Sequence, residues 1–290
     1  MEPMNNYQII TDSGCDLPIE MRQQLDVKMV SLTLLFRGQE LQDSVGDDIQ
    51  QLYQALRDGE VASTSAVNPD GWSAVMEPVL QEGKDVLVLA FSSGLSTTYQ
   101  SAVIASQELA EKYPQRRIRV VDTRSASLGE GLLVWYACRK RDEGMELDAL
   151  ADWAEEAKGH LCHWFTVDDL MYLKRGGRIS AATALVGTML GIKPVLHMDD
   201  EGHLINISKV RGRKASIEAL AEKMGQLGLP GKNRTVFICH GDCLEDAKRL
   251  EAIVKEKYGV EEVFIGYTGA VIGSHSGPGT LALFFLGEKR

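Results

Sequence analysis

The sequence predicts an α/β protein of two units. The first, residues 1–159, is a three-layer α/β/α arrangement around a mostly parallel sheet. The second, residues 160–290, is an α/β unit with a mixed sheet. Three observations carry this reading. Short apolar runs alternate with helical patterns through the first half, as parallel strands joined by crossover helices require. The second half contains a hairpin signal, Asp199-Asp200-Glu201-Gly202-His203, so antiparallel strands enter there. No long linker, repeat or low-complexity stretch interrupts the chain, and the change of pattern puts the boundary near Gly159.

The elements follow in order. Residues 7–10 read as a strand, ended by Thr11-Asp12-Ser13-Gly14-Cys15-Asp16. Pro18 opens a helix to about Leu25, since proline's fixed φ suits a first turn. Residues 27–36 form one apolar strand, and residues 49–57 have helical spacing that stops at Gly59. Residues 62–69 are a polar loop, with Pro69 opening the next helix. Then come a strand over 85–91, a helix from about 95 to 112, a strand at 117–121, and helices over 126–140 and 147–157. In the second half, 162–167 and 193–197 read as strands, and the hairpin turn leads into a strand at 204–210. A helix over 216–227 follows, then strands 235–240 and 262–267 around a helix at 244–257, and a last strand at 281–286.

Composition excludes several classes of function. A net charge of −10 argues against non-specific nucleic-acid binding. No apolar run approaches the ~18 residues of a membrane span. Residues 1–6 lack the basic and apolar parts of a signal peptide. Five scattered cysteines then read as reduced thiols of a cytoplasmic protein.

The most informative stretch is Ala90-Phe91-Ser92-Ser93-Gly94-Leu95-Ser96-Thr97-Thr98-Tyr99-Gln100. It lies between an apolar strand and a helix and is rich in short hydroxyl side chains. One reading is nucleophilic: Ser92 sits near a G-x-S-x-G pattern, and Asp242 and His275 follow in hydrolase order. Against it, no Gly-rich oxyanion segment lies upstream, and His275 sits in its own hydroxyl-rich segment, Gly273-Ser274-His275-Ser276-Gly277-Pro278-Gly279. The other reading is an anion site. Thr64-Ser65 and Ser93–Ser96 each precede a helix, and loops at the carboxyl ends of neighbouring strands converge where ligands bind. Each loop alone is better explained by plain helix capping. A carbohydrate- or phosphate-binding protein would use the same site.

Two basic clusters stand out in an acidic chain. Lys174, Arg175 and Arg178 surround Gly176-Gly177, and Lys209-Val210-Arg211-Gly212-Arg213-Lys214 is the second. Either can hold an anion or form a solvated turn. His160-Leu161-Cys162-His163 and Cys239-His240-Gly241-Asp242-Cys243 carry zinc-ligand atoms without the paired spacing of a structural site. No Walker A loop or dinucleotide fingerprint is present in strand–turn–helix context.

Several segments, in order, carry a family resemblance: Thr11-Asp12-Ser13-Gly14-Cys15-Asp16-Leu17-Pro18, Ser92 to Ala102, Ser125-Ala126-Ser127-Leu128-Gly129-Glu130-Gly131, Leu173 to Ser180, and Ile272 to Ala282. On these, the chain resembles the DegV family of bacterial fatty-acid-binding proteins over nearly its full length. The resemblance implies a two-domain protein that buries one long-chain fatty acid between its domains. It implies a carrier rather than an enzyme, one that presents the acyl carboxylate to a separate fatty-acid kinase for phospholipid synthesis. It implies no cofactor beyond the bound acid and no stable membrane insertion. Carried over by motif, Thr64, Ser96 and His275 bond the carboxylate, with Ser65 and Gly94 as neighbours. Arg178 and Arg211, with Arg175 and Arg213, face the phosphate donor or the kinase. The alternative remains a serine hydrolase using Ser92 or Ser96 with His275. Two departures from the family pattern are visible. The first loop reads Thr64-Ser65-Ala66-Val67-Asn68-Pro69 where T-S-Q-P-S is usual, and Thr97 replaces a glycine.

Overall fold

The computed structural model describes residues 6–46, 48–180 and 191–290. The sequence reading of residues 1–5 lies outside these. Strands β1 (Tyr7–Asp12), β2 (Val27–Val30), β6 (Asp85–Ala90) and β7 (Ile118–Asp122) form an all-parallel sheet in the order β2-β1-β6-β7. Every residue of β1 and β6 is buried, as in a sheet covered on both faces. Their side chains alternate between two cores. Ile10, Val86, Val88 and Ala90 pack with Trp72 and Met76 of the helix Pro69–Gln81 and with Ala102 and Ala105 of the helix Thr98–Lys112. Ile9, Leu87 and Leu89 face the opposite way, toward the helices Leu128–Asp142 and Leu147–Ala157.

A second, six-stranded sheet has the order β10-β9-β8-β13-β11-β12, from Leu204–Arg211, Ile192–Met198, Leu161–Thr166, Leu281–Leu286, Thr235–His240 and Glu262–Tyr267. It is mixed: β11 and β12 are parallel and the other pairs antiparallel. One face carries Trp164, Ile238 and Leu283 under the helices Arg213–Leu227 and Leu244–Tyr258. The other face carries Phe165, Cys239, Ala282 and Phe284, which join the core that also holds Ile9 and Leu89 of the parallel sheet.

Several elements differ from the sequence reading. The apolar run 27–36 is two strands in two sheets. It breaks after Val30, and β3 (Thr33–Phe36) pairs antiparallel with β4 (Gln39–Gln42) and β5 (Ser63–Ser65). The supposed polar loop 62–69 therefore begins as a strand. The helix expected from 95 starts at Thr98, because residues 92–96 close a turn through Leu95 N–H and Ser96 N–H to Ser92 O, both at 3.1 Å. The helix expected from 126 starts at Leu128. Ser127 before it sits at φ 55°, ψ −150°, a conformation costing a non-glycine residue about 1–3 kcal/mol. Short helices at Met171–Arg175 and Ala270–Ser276 stand where the sequence reads as basic and Gly-rich loops. Among the described residues no helix is long and apolar enough to cross a membrane.

Candidate functional site

A cavity of about 480 Å³ lies between the carboxyl-end loops of the parallel sheet and the inner face of the mixed sheet. Its walls are largely apolar, with Phe91, Leu95, Phe165, Met198 and Phe284 among them, and Thr64, Ser96, Arg178 and His275 supply polar atoms. The volume falls within the range of small-molecule sites, roughly 300–1,000 Å³.

Thr64 sits in the middle of β5, opposite Leu34 of β3. Its Oγ1 lies 2.8 Å from Nε2 of His275, which comes from the helix Ala270–Ser276. Burial, aided by the positive charge of Arg178, pushes His275 down to about 4. The imidazole is thus neutral at physiological pH, and the pair with Thr64 is a neutral hydrogen bond. Ser96 ends the turn before the next helix. Its Oγ accepts the Thr98 N–H at 3.2 Å and shares a 2.8 Å bond with Thr98 Oγ1. Thr98 Oγ1 in turn accepts the Val67 N–H at 3.4 Å, which ties the segment after Thr64 to the segment after Ser96. A strand of one sheet and a loop that follows a strand of another thereby present hydroxyls to one cavity.

The basic Gly-Gly segment closes over this end. Gly176 has an ordinary negative φ, so its need for glycine is steric: a Cβ there would collide with Nδ1 of His275. Arg178 is half-buried and lines the cavity, its Nη2 donating to Leu95 O at 3.2 Å and its Nη1 to Gly176 O. Burial lowers its pKa. Ser276 also lines the cavity, and its buried Oγ has no hydrogen-bond partner. The hydroxyl-rich segment 273–279 was the sequence signal for it.

The remaining sequence candidates occupy other positions. Ser65 is exposed, on the opposite side of β5 from Thr64. Gly94 packs against the hairpin turn rather than the cavity, where a Cβ would stand 2.7 Å from Gly202 O. Ser92 is fully buried and its Oγ donates to Gly202 O at 2.9 Å, so its hydroxyl is engaged in holding the same turn. Asp242, the proposed acid of the triad, pairs with Arg57 at 2.5 Å. His275 bonds Thr64 rather than either serine, so the hydrolase constellation is not assembled. Arg175 is exposed and stacks 5.4 Å over Tyr172. Arg211 is exposed at the end of β10, whereas Arg213 is taken up by Asp246 at 2.8 Å and Asp168 at 3.7 Å. The zinc candidates are split by strand alternation. Cys162 packs in the outer core, while His163 faces inward onto Phe284, their rings 5.2 Å apart.

An apolar cavity with neutral hydroxyl and imidazole donors at one place, and a guanidinium beside them, suits an amphiphile with a small anionic head. The DegV family model matches residues 6–288. A DegV domain-containing protein of Clostridium perfringens is 44% identical over 289 residues, covering 99% of this chain and 99% of its own. A DegV family protein from Thermus thermophilus, whose structure is described for fatty acid binding, matches with a TM-score of 0.87 at 32% identity, covering 97% of this chain and 99% of that one. A DegV lipid binding protein from Thermotoga maritima has the same TM-score at 30% identity, over 98% of this chain and 99% of its own. By sequence along nearly its whole length, and by fold, this chain belongs to the DegV family.

Proposed function

We propose that the protein is a cytoplasmic carrier that binds one long-chain fatty acid in this cavity and presents its carboxylate to a separate fatty-acid kinase. The observation that carries the reading is the Thr64–His275 pair beside Ser96 in an otherwise largely apolar cavity. The fatty acid and lipid binding named for the Thermus thermophilus and Thermotoga maritima proteins supports it. Residues 1–159 and 160–290 are the two units between which the acid would lie.

The physical division of labour favours a carrier. Burying the acyl tail contributes about 0.8 kcal/mol per CH₂, so the tail supplies most of the binding energy. The head needs only to be oriented. Neutral hydroxyls and a neutral imidazole do this while leaving the carboxylate oxygens nucleophilic, which an acceptor of a phosphoryl group requires. A bidentate arginine would bind the carboxylate more tightly and blunt its reactivity. Arg178 stands beside the head, and the exposed Arg175 and Arg211 remain open to a phosphate donor or to the kinase. Arg213 drops out of this set because its charge is already matched.

Native mass spectrometry of the purified protein tests the carrier reading: an added mass equal to a long-chain acid is expected. A protein that stays ligand-free after incubation with oleate would refute it. For the kinase step, Thr64→Ala combined with Ser96→Ala should abolish acyl-phosphate formation, and full retention would exclude the assigned clamp.

A further inference from the structure

The turn Asp12-Ser13-Gly14-Cys15-Asp16 contributes no side chain to the cavity wall, yet four wall segments are fastened to it. The Phe91 N–H donates to Asp12 Oδ2 at 2.8 Å, and the Gly14 N–H to Oδ1 at 3.0 Å. The Leu32 N–H donates to Ser13 Oγ at 2.9 Å. Ser13 Oγ donates to Asp43 Oδ2 at 2.8 Å, and Asp43 Oδ1 accepts the Val271 N–H at 2.8 Å. Ser127 Oγ donates to Asp16 Oδ2. Leu32, Phe91, Ser127 and Val271 all line the cavity. Phe91 leads directly into the turn that carries Ser96. Val271 precedes His275 by one helical turn, so Asp43 holds the helix that carries the imidazole.

We propose that Asp12 and Asp43 are positioning residues for the acyl carboxylate, their charged oxygens fixing the segments of Ser96 and His275 in one relation. This deepens the carrier reading and rests on it. The two carboxylates are nearly or fully buried and face other acids rather than cations. The groups around them are Cys15 and Asp16 on the same turn and Glu130 from the helix Leu128–Asp142, with Tyr53 from the helix Ile49–Arg57 facing Asp16. Burial raises all four, so Cys15 and Tyr53 stay neutral through the physiological range. Burial, opposed by the Phe91 and Gly14 N–H groups, raises Asp12 to about 7. Burial, opposed by the Val271 N–H and the Ser13 hydroxyl, raises Asp43 to about 6. His275 stays neutral down to about pH 4, and the Arg178 guanidinium stays charged.

The arrangement separates binding from stability. A charged acceptor bonds an N–H roughly twice as strongly as a neutral one, so acidification from pH 8 to 6 loosens the clamp. Both folded pKa values lie above the ordinary value of 3.8, so the native state holds protons that the unfolded chain releases. These groups therefore make the fold more stable as pH falls through that window. A purely structural role would move affinity and stability together.

Titration with cis-parinaric acid at pH 8 and pH 6, with urea unfolding in parallel, reads both quantities. The ligand's own carboxylate stays ionised throughout this window. Unaltered protein should lose about fivefold in affinity at pH 6, while its stability relative to Asp43→Asn should rise from pH 8 to 6, a comparison that cancels the opposite contribution of the buried histidines. Asp43→Asn should bind about tenfold more weakly at pH 8 and show a flatter pH profile, and Asp43→Ala should bind more weakly still, because Asn keeps an acceptor for Val271. Asp12→Asn gives an independent second measurement, and the profile of the unaltered protein needs no variant. Affinity independent of pH in the unaltered protein, or Asn variants with its affinity and profile, would overturn the proposal. If the unaltered protein binds no parinarate at either pH, the carrier reading itself fails and the positioning role falls with it.

Discussion

Thr64 and His275 stand 211 residues apart in the chain and share a 2.8 Å hydrogen bond at the wall of the cavity. One comes from a three-residue strand and the other from a seven-residue helix. Neither element is stable alone, so the pair reports the assembled fold. Thr64→Val removes the hydroxyl and keeps the shape. It should weaken fatty-acid binding about tenfold, the value of a hydrogen bond to a charged head, with little change in urea midpoint. Combined with His275→Ala, the two losses should be less than additive, as a double-mutant cycle by fluorescence titration will read.

The pH response of His275 has a fixed sign. Its folded value, about 4, lies below the ordinary 6.5, so folding favours the neutral ring. The stability it contributes is fully present above pH 6.5 and is lost as pH falls toward 4. An NMR titration of the ring should find the midpoint near 4, and a midpoint near 6.5 would contradict the burial described here.

Gly176→Ala brings a Cβ onto Nδ1 of His275. The Gly-Gly segment and the imidazole cannot then both keep their places. Binding should weaken about tenfold or more, while thermal stability shifts little because the segment is partly exposed. Gly94→Ala makes the contrasting case. It strikes the Gly202 backbone, so it should cost about 1–3 kcal/mol of stability in urea unfolding and affect binding mainly through the displaced hairpin.

Ser92→Ala separates the structural serine from a reactive one. Loss of the bond to Gly202 O should cost about 1 kcal/mol of stability and leave fatty-acid affinity near its unaltered value. A fluorophosphonate probe should not label the unaltered protein; labelling that disappears in the variant would restore a nucleophilic role.

The parallel sheet was legible because its buried strands are continuous apolar runs and its helices open at marked positions such as Pro69. The break after Val30 was not, since an apolar run looks the same whether it continues or turns into another sheet. The hydroxyl loops announced a site, but their partition did not. Ser65 faces outward for a reason visible only once residues 63–65 are known to be pleated. The helix Ala270–Ser276 has one glycine, two serines and two β-branched residues in seven, a composition of low helix propensity. It forms because Ala270 N–H reaches Ser44 O at 3.0 Å and Val271 N–H reaches Asp43, contacts no local pattern reveals. The sequence likewise marked Asp12 and Asp16 as turn residues, which they are, without showing that the turn fastens segments from four other places.

The three-residue strand β5 has a consequence for how this chain tolerates change. Side chains on a strand alternate with a period of two, so the identity of the residue facing His275 is a question of parity. Length changes in the exposed residues between β4 and β5 leave that parity intact as long as Leu34 still pairs with Thr64. A slip of one residue in that pairing would turn Ser63 or Ser65 inward and Thr64 to solvent. A hydroxyl would still be present at the cavity, on a shorter side chain and displaced along the strand, and its distance to the imidazole would be set anew.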